Sequence, residues 1–389
     1  MHLKTGKIAK YGTVEEVIQK EVLSEIYQVD FEILNIKGKT IIGILLMTEN
    51  GRKQRWRKKM RKLAKVLLAG VAALSLTACG QAEGTTGSSA DTTAKEQKQQ
   101  ETPEKIKIQS LNANGEEISL EVPYDPERIA VLDMAALDIL DNLGVGDKIV
   151  GSASTSLEYL SDYVDNEKVA NLGTIKEADL EAVMECEPEV IFIGGRLASS
   201  YDALSEIAPV VYLSTDVETG VVKSVTKNAE TIASMFGLED EVKEKTAGFD
   251  ERIEALAEKA KGHTALVGMT TSGSFNLMGN DGRCSIIGVE IGFDNLTAAE
   301  STSTHGNEAS FETVVEKNPE YIFVMDRDQA IGADGAQTAK EIMENELVMQ
   351  TDAYKNGKII YLEHPAVWYT AEGGITALDV MLSDLEESL

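Results

Sequence analysis

Over residues 105–389, short apolar runs alternate with longer segments whose apolar residues recur every three or four positions. The stretch ERIAVLDMAALDILDNLGVGDKIVGSA divides into RIAVLD, MAALDILDNLG and KIVGSA, a pattern that predicts strand, helix and strand. The runs carry few polar residues, as expected of parallel strands covered on both faces rather than of half-exposed ones. Next come DLEAVMECEPEVIFIGG, predicted as helix, Pro-marked turn and buried strand, and the strand VVYLS at 210–214. A second series follows: HTALVGMTTSG as a strand, SFETVVEKNPEYIFVMD as helix, turn and strand, and KIIYLE as a strand. The two helix–turn–strand pieces share E-x-V-x-E-x-x-P-E-x-I-F, which predicts two lobes built alike. Between them, GVVKSVTKNAETIASMFG predicts one amphipathic helix ending at Gly237. LEDEVKEKTAGFDERIEALAEKAKG predicts a second, ending at Gly262 and laid along the surface from lobe to lobe. The fold class expected is α/β, with two Rossmann-like lobes, 105–236 and 263–389, joined by a single long helix over 237–262. Such a stiff connection implies limited opening and closing.

Charge divides the chain differently. Residues 1–78 hold 15 Lys+Arg against 7 Asp+Glu, and the remainder 22 against 58, within a whole-chain net charge of −28. So acidic a body excludes nucleic acid and broad adhesion to anionic lipid as partners, and it makes arginines beside apolar strands conspicuous. The three cysteines, Cys79, Cys186 and Cys284, have no zinc spacing and, being odd in number, form no disulfide framework. Cys186, in AVMECEPEVI, is expected to be a small buried hydrophobe.

The N-terminal region reads as an address. In MRKLAKVLLAGVAALSLTACG, residues 60–80, basic residues precede a 13-residue apolar run at 66–78, too short to span a bilayer comfortably. The ending Leu76-Thr77-Ala78-Cys79 looks like a lipobox, which implies a signal peptide over 60–78 and lipidation of Cys79. Several acyl chains on one residue anchor a protein where one chain does not. Residues 79–104 are polar, low in complexity and free of aromatics, as a flexible tether would be. Residues 1–59 precede a start-like Met60, and 12–44 resemble the tail of the ATPase subunit of an iron-siderophore importer. They are expected to be a non-native upstream extension. GKT at 38–40 is not a P-loop, because Ile33 stands where its first glycine is required.

Lipoprotein signal, tether, α/β lobe, helix and α/β lobe together resemble the substrate-binding lipoproteins of bacterial iron-siderophore ABC importers, and among these the catecholate and petrobactin binders. The resemblance covers about 104–389. It is carried by VLDMAALDILDNLGVGDKIVG, FIGGRLASSYDALSEIAPVVYLS, STHGNEASFETVVEKNPEYIFVMDRDQAIG and VWYTAEGG. It implies an extracytoplasmic, non-enzymatic protein, anchored through Cys79 and held on a Gram-positive cell surface. Such a protein is a monomer with no permanent cofactor, and it hands a ferric siderophore to a permease and its ATPase.

Three arginines stand out from the pattern itself. Arg196 follows the strand VIFIGG, Arg327 ends YIFVMDRD, and Arg283 lies in the Gly-rich MGNDGRCSIIG. Ligands of open α/β domains bind beyond the carboxyl ends of the strands, so Arg196 and Arg327 should face each other across a cleft. A ferric tris-catecholate carries about three negative charges, which guanidinium groups match while staying charged when buried. The resemblance makes all three arginines catecholate contacts. It also makes His305 and Tyr369 conditional Fe3+ ligands, engaged when a tetradentate siderophore leaves two coordination positions open; phenolate oxygen and imidazole suit that ion. Read from the residues alone, His305 is a loop residue. Trp368 is assigned to ligand binding as cleft wall, with packing beneath the cleft left open; His364 is a minor alternative metal ligand. The sequence departs from the family at Cys284, which stands in place of the usual aromatic and would be an oxidation hazard near iron if exposed. Glu181 and Glu312 hold equivalent places in the repeated helix, and the resemblance makes them permease-docking residues. Haem, cobalamin and hydroxamate chelates remain alternative ligands, though three cleft arginines favour a polyanion. An esterase is disfavoured because no G-x-S-x-G or HExxH occurs.

Overall fold

The computed structural model describes residues 2–4, 7–10, 30–36, 39–45, 103–303 and 305–389. The chain divides into two units, 1–96 and 97–389. In the first, His2–Lys4 pairs antiparallel with Lys7–Lys10, and Asp30–Ile36 with Lys39–Leu45. The expected signal peptide at 60–78, Cys79 and the tether up to residue 102 lie outside the described residues. No described helix is long and apolar enough to cross a membrane.

In the second unit, a hairpin of Lys105–Leu111 and Glu117–Pro123 leads into the first α/β lobe. Its strands are β1 (Ile129–Val131), β2 (Ile149–Ser152), β3 (Ala170–Asn171), β4 (Val190–Ile193) and β5 (Val210–Tyr212). They form an all-parallel sheet in the order β5-β4-β1-β2-β3. Every residue of β1, β4 and β5 is buried, which is why these runs lack polar alternation. The order reverses between β1 and β4, so the segments following them, at Asp133 and Arg196, open onto the switch point.

The second lobe contains β6 (Thr264–Thr271), β7 (Ser274–Met278), β8 (Asp294–Asn295), β9 (Asn307–Ala309), β10 (Tyr321–Asp326) and β11 (Ile359–Tyr361). Its main order is β9-β7-β6-β10-β11, with β8 beside β6. Here the two lobes differ. β6, β8, β10 and β11 run parallel, but β7 is antiparallel to both β6 and β9. The cause is local: Ser272 and Gly273 both have positive φ, 51° and 81°, and close a two-residue hairpin between β6 and β7. The repeated sequence pattern does produce repeated structure. In each lobe a short helix, α1 (Leu180–Glu185) or α2 (Phe311–Lys317), starts from a side-chain cap, Asp179 or Ser310. Each is followed by a left-handed residue before the proline, Glu187 at φ 46° and Asn318 at φ 39°.

The expected linking helix differs in two respects. Residues 238–262 form two helices, α3 (Glu239–Lys245) and α4 (Phe249–Ala260), because Gly248 takes φ 92° between them. The C-terminal helix α5 (Ile375–Ser388) then returns from the second lobe to pack on α4 and on two helices of the first lobe, Met134–Asn142 and Val221–Ser234. The lobes are therefore joined twice. Two carboxylates fasten the junction reciprocally. Asp138 of the first lobe accepts from Thr376 N and Ala377 N, both at 2.9 Å, at the start of α5. Glu290 of the second accepts from Val221 N and Val222 N, at 2.9 and 3.0 Å, at the start of the 221–234 helix. Each supplies hydrogen-bond acceptors to the backbone N–H groups that a helix N-terminus leaves unpaired.

Candidate functional site

Arg196 lies in the 3-10 turn Gly195–Ser200 that follows β4, Arg327 follows β10 directly, and Arg283 precedes the short helix Ser285–Val289. All three converge on one side chain, Tyr369, on the helix Pro365–Thr370. Their guanidinium carbons stand 5.4 Å (Arg196), 4.4 Å (Arg283) and 5.8 Å (Arg327) from the centre of its ring. Arg327 also donates from Nε to Tyr369 Oη at 3.3 Å, while Arg196 Nη2 donates to the Tyr369 carbonyl at 2.8 Å, from one lobe to the other. Tyr369 is only 3 % exposed. His305 completes the group, its ring 6.4 Å from that of Tyr369 and inclined by 23°.

Local structure explains this convergence. Asp328 accepts from Ser272 N at 2.6 Å and from Arg327 Nη1 at 3.2 Å, tying the β6–β7 turn to Arg327. Asp281 accepts both from Thr302 N and from Thr302 Oγ1, bracing the Arg283 loop against the His305 loop. His305 itself is held by its carbonyl, which accepts from Asn276 Nδ2 at 2.8 Å. Gly306 has φ 73°, and a Cβ there would lie 2.8 Å from the Leu277 carbonyl oxygen. Only glycine allows the histidine loop to lie this close to β7.

The electrostatics suit an anion. Arg196 is held below its ordinary pKa, first by burial and then by the neighbouring Arg283 charge. Burial opposes ionisation of Tyr369, but the Arg327 hydrogen bond and the charges of Arg327, Lys176 and Arg283 prevail and lower its pKa. His305 is also lowered, by burial first and then by Arg327, Arg283, Lys176 and Arg196, so its ring stays neutral with a lone pair available. Clustered positive charge therefore favours phenolate at one residue and neutral imidazole at the other, the forms in which each ligates a metal. Among the described residues no group of three or more His, Cys, Asp or Glu is arranged to hold a metal ion.

Two sequence expectations change. Trp368 is 0 % exposed and donates from Nε1 to Asp384 Oδ2 at 2.8 Å, so it packs beneath the cleft and is not part of its wall. His364 is held by the same Asp384, through Nδ1 at 2.6 Å. Both secure the helix that presents Tyr369. Cys284 is 1 % exposed and burial pushes its thiol pKa up, which makes it inert rather than an oxidation hazard. Cys186 is buried as expected. Glu181 and Glu312 are both exposed and both second in their helices. Lys176 and Glu372 were missed by the sequence reading. Lys176 lies in the loop after β3, whose two residues, Ala170 and Asn171, form no buried apolar run to mark it. Glu372, three residues after Tyr369, accepts from Cys284 N at 3.0 Å, and nothing in its local sequence marks it.

A fold of two α/β lobes around an arginine-lined cleft defines a class of binding protein, and residues 129–366 match the periplasmic binding protein family model. The chain belongs to that family. It is 34% identical over 333 residues to the petrobactin-binding protein YclQ of Bacillus subtilis, spanning 85% of this chain and 99% of that one. It is 27% identical to the ferric-anguibactin-binding protein FatB of Vibrio anguillarum, over 67% of this chain and 81% of FatB. The crystal structure of YclQ superposes with a TM-score of 0.67 at 33% identity, covering 73% of this chain and 98% of YclQ. That of the catecholate-siderophore-binding protein VctP of Vibrio cholerae gives 0.67 at 28% identity, covering 73% and 100%.

Proposed function

We propose that this protein captures a ferric catecholate siderophore outside the cell and delivers it to an ABC importer. The observation that carries the proposal is the meeting of three guanidinium groups on Tyr369 beside His305. Three like charges around one ring repel one another, and an anionic chelate relieves that repulsion. Arriving catecholate oxygens draw the arginines off the ring, which uncovers the phenol. A tetradentate chelate then completes its iron shell with Tyr369 oxygen and His305 nitrogen, whereas a hexadentate one leaves both idle. No covalent chemistry is assigned to the site, and the iron enters and leaves as cargo. Glu181 and Glu312 dock the two lobes on the permease, and lipidated Cys79 keeps the protein, as a monomer, at the membrane. Residues 1–59 play no part in the mature protein.

Fluorescence quenching with ferric bis- and tris-catecholates, a ferric hydroxamate and haem tests the ligand class. Binding of haem or the hydroxamate, with every catecholate failing, overturns it. His305→Ala and Tyr369→Phe should weaken bis-catecholate binding far more than tris-catecholate binding; equal losses remove the iron-ligand assignment.

A further inference from the structure

Glu372 stands where the site needs no acid. It is partly buried between two cavities, one of about 180 Å³ and one of about 310 Å³. Arg283 lines both of them as well. The Glu372 carboxylate accepts from Cys284 N, the residue after Arg283, and Cys284 holds a left-handed φ of 62°. One side chain thus joins the end of the Tyr369 helix to a loop whose strained backbone is fixed at the point where Arg283 projects. A neutral acceptor would serve that hydrogen bond equally well. A carboxylate adds negative charge among arginines that must attract an anion.

We propose that Glu372 is a positioning and charge-tuning residue of the anion site. It anchors the Arg283 loop, and by carrying or losing its negative charge it sets how strongly the arginine cluster holds an anionic chelate, so that binding tightens as pH falls. This rests on the proposed function and deepens it by assigning a specificity element to the same site.

The groups around Glu372 are Arg283 and Cys284 on the loop, Arg196 after β4, Glu290 at the end of the 285–289 helix, Asp133 across the smaller cavity, Asp281 across the larger one, where hydrogen bonds from Thr302 hold its carboxyl below the usual range, and Tyr369 on its own segment. Burial pushes the Glu372 carboxyl up to about 7, against Arg283 and the Cys284 N–H, while Glu290 adds to the rise. The charge therefore changes near neutrality. The Cys284 thiol is pushed away from that range. Asp133 is also raised by burial and is the competing titrant. Coupling is reciprocal, so an anionic ligand that favours protonated Glu372 is itself favoured by that protonation.

The test is a fluorescence titration with a ferric tris-catecholate, between pH 6.5 and 8.5, on the wild type, Glu372→Gln and Asp133→Asn. Gln keeps an acceptor for Cys284 N, and Asn keeps the Asp133 cap on Ala136 N. At pH 8.5 Glu372→Gln should bind about tenfold more tightly than wild type, with the ratio falling toward one at pH 6.5, as a one-unit coupling requires. Ligand protonation cancels in that ratio. Asp133→Asn should retain the wild-type pH dependence. A ratio that is constant with pH, weaker binding by Glu372→Gln, or loss of the pH dependence in Asp133→Asn overturns the inference. Failure of the wild type to bind any ferric catecholate overturns instead the function on which the inference rests.

Discussion

Asp138→Ala should destabilise the protein more than any surface substitution, because its side chain fastens the second crossing between the lobes. The residue is fully buried and accepts from Thr376 N, Ala377 N and Tyr159 Oη, at 2.9, 2.9 and 2.8 Å. Alanine strands two backbone donors and one phenol. At about 1–3 kcal/mol for each unsatisfied buried group, the loss is about 3–9 kcal/mol. Unfolding entropy of about 2.1 cal/mol/K per residue over about 290 residues converts this to a fall in Tm of about 5–15 °C. Tyr159→Phe, which removes one bond and leaves the cap in place, should lower Tm by only about 1–3 °C. The pH dependence has a definite sign. Burial raises the Asp138 carboxyl from 3.8 to about 6, against the hydrogen bonds from Tyr159 and the α5 amides. Its contribution is therefore greatest below the unfolded value and is lost as pH rises through about 6. The wild-type advantage over Asp138→Ala should grow by about 1–2 kcal/mol between pH 7.5 and pH 5. Calorimetry and fluorescence melts of the three proteins at both pH values measure this. A fall in Tm below 2 °C for Asp138→Ala, or an advantage that shrinks on acidification, would refute the assigned role.

Two further substitutions separate attraction of the ligand from support of the site. Lys176→Ala should slow chelate association at low salt and flatten its salt dependence, leaving Tm unchanged, because the exposed Lys176 acts through charge; stopped-flow fluorescence reads this, and unchanged association rates would count against it. Trp368→Phe leaves Asp384 without its indole donor and should cost about 1–3 kcal/mol by denaturant unfolding, while catecholate preference is unchanged because the indole never reaches the cleft; a selective loss of bis-catecholate binding would restore Trp368 to the wall.

What the sequence disclosed follows the range of each interaction. The lobes were legible because buried parallel strands, caps and the shared Glu-Val-Glu-Pro-Glu pattern are local properties. Arg196 and Arg327 were legible because a charge at the carboxyl end of an apolar strand is informative by itself; Lys176 was not, because β3 before it is two residues long and partly exposed. The antiparallel turn of β7 was missed although Ser272-Gly273 marks it. The break at Gly248 was missed because the helical pattern is in phase on both sides of it. Trp368 could not be placed without its partner, since an indole in an apolar segment suits a cleft wall and a packed floor equally until Asp384, sixteen residues away, is seen to hold it. Asp138, Glu290 and Glu372 act on backbone N–H groups distant in sequence, and their own neighbourhoods carry no mark of that.

The repeat between the lobes also explains why the site is asymmetric. Duplicated helix–turn–strand units place one arginine at each strand end, and two facing arginines could bind an anion from either side. The second lobe departs from the repeat with its β6–β7 hairpin and with the segment after β11, and these departures bring in Arg283, His305 and Tyr369. Four of the five converging side chains therefore belong to the second lobe, and Arg196 alone reaches over from the first. Its hydrogen bond to the Tyr369 carbonyl makes Arg196 a contact between the lobes before any ligand arrives. On the proposed function, a chelate whose oxygens engage the remaining Arg196 donors adds a bridge between lobes already joined by Asp138 and Glu290. On that proposal little closure is expected, and selectivity should rest on how well a chelate's charge and open coordination positions fit a nearly preformed site rather than on a large domain movement.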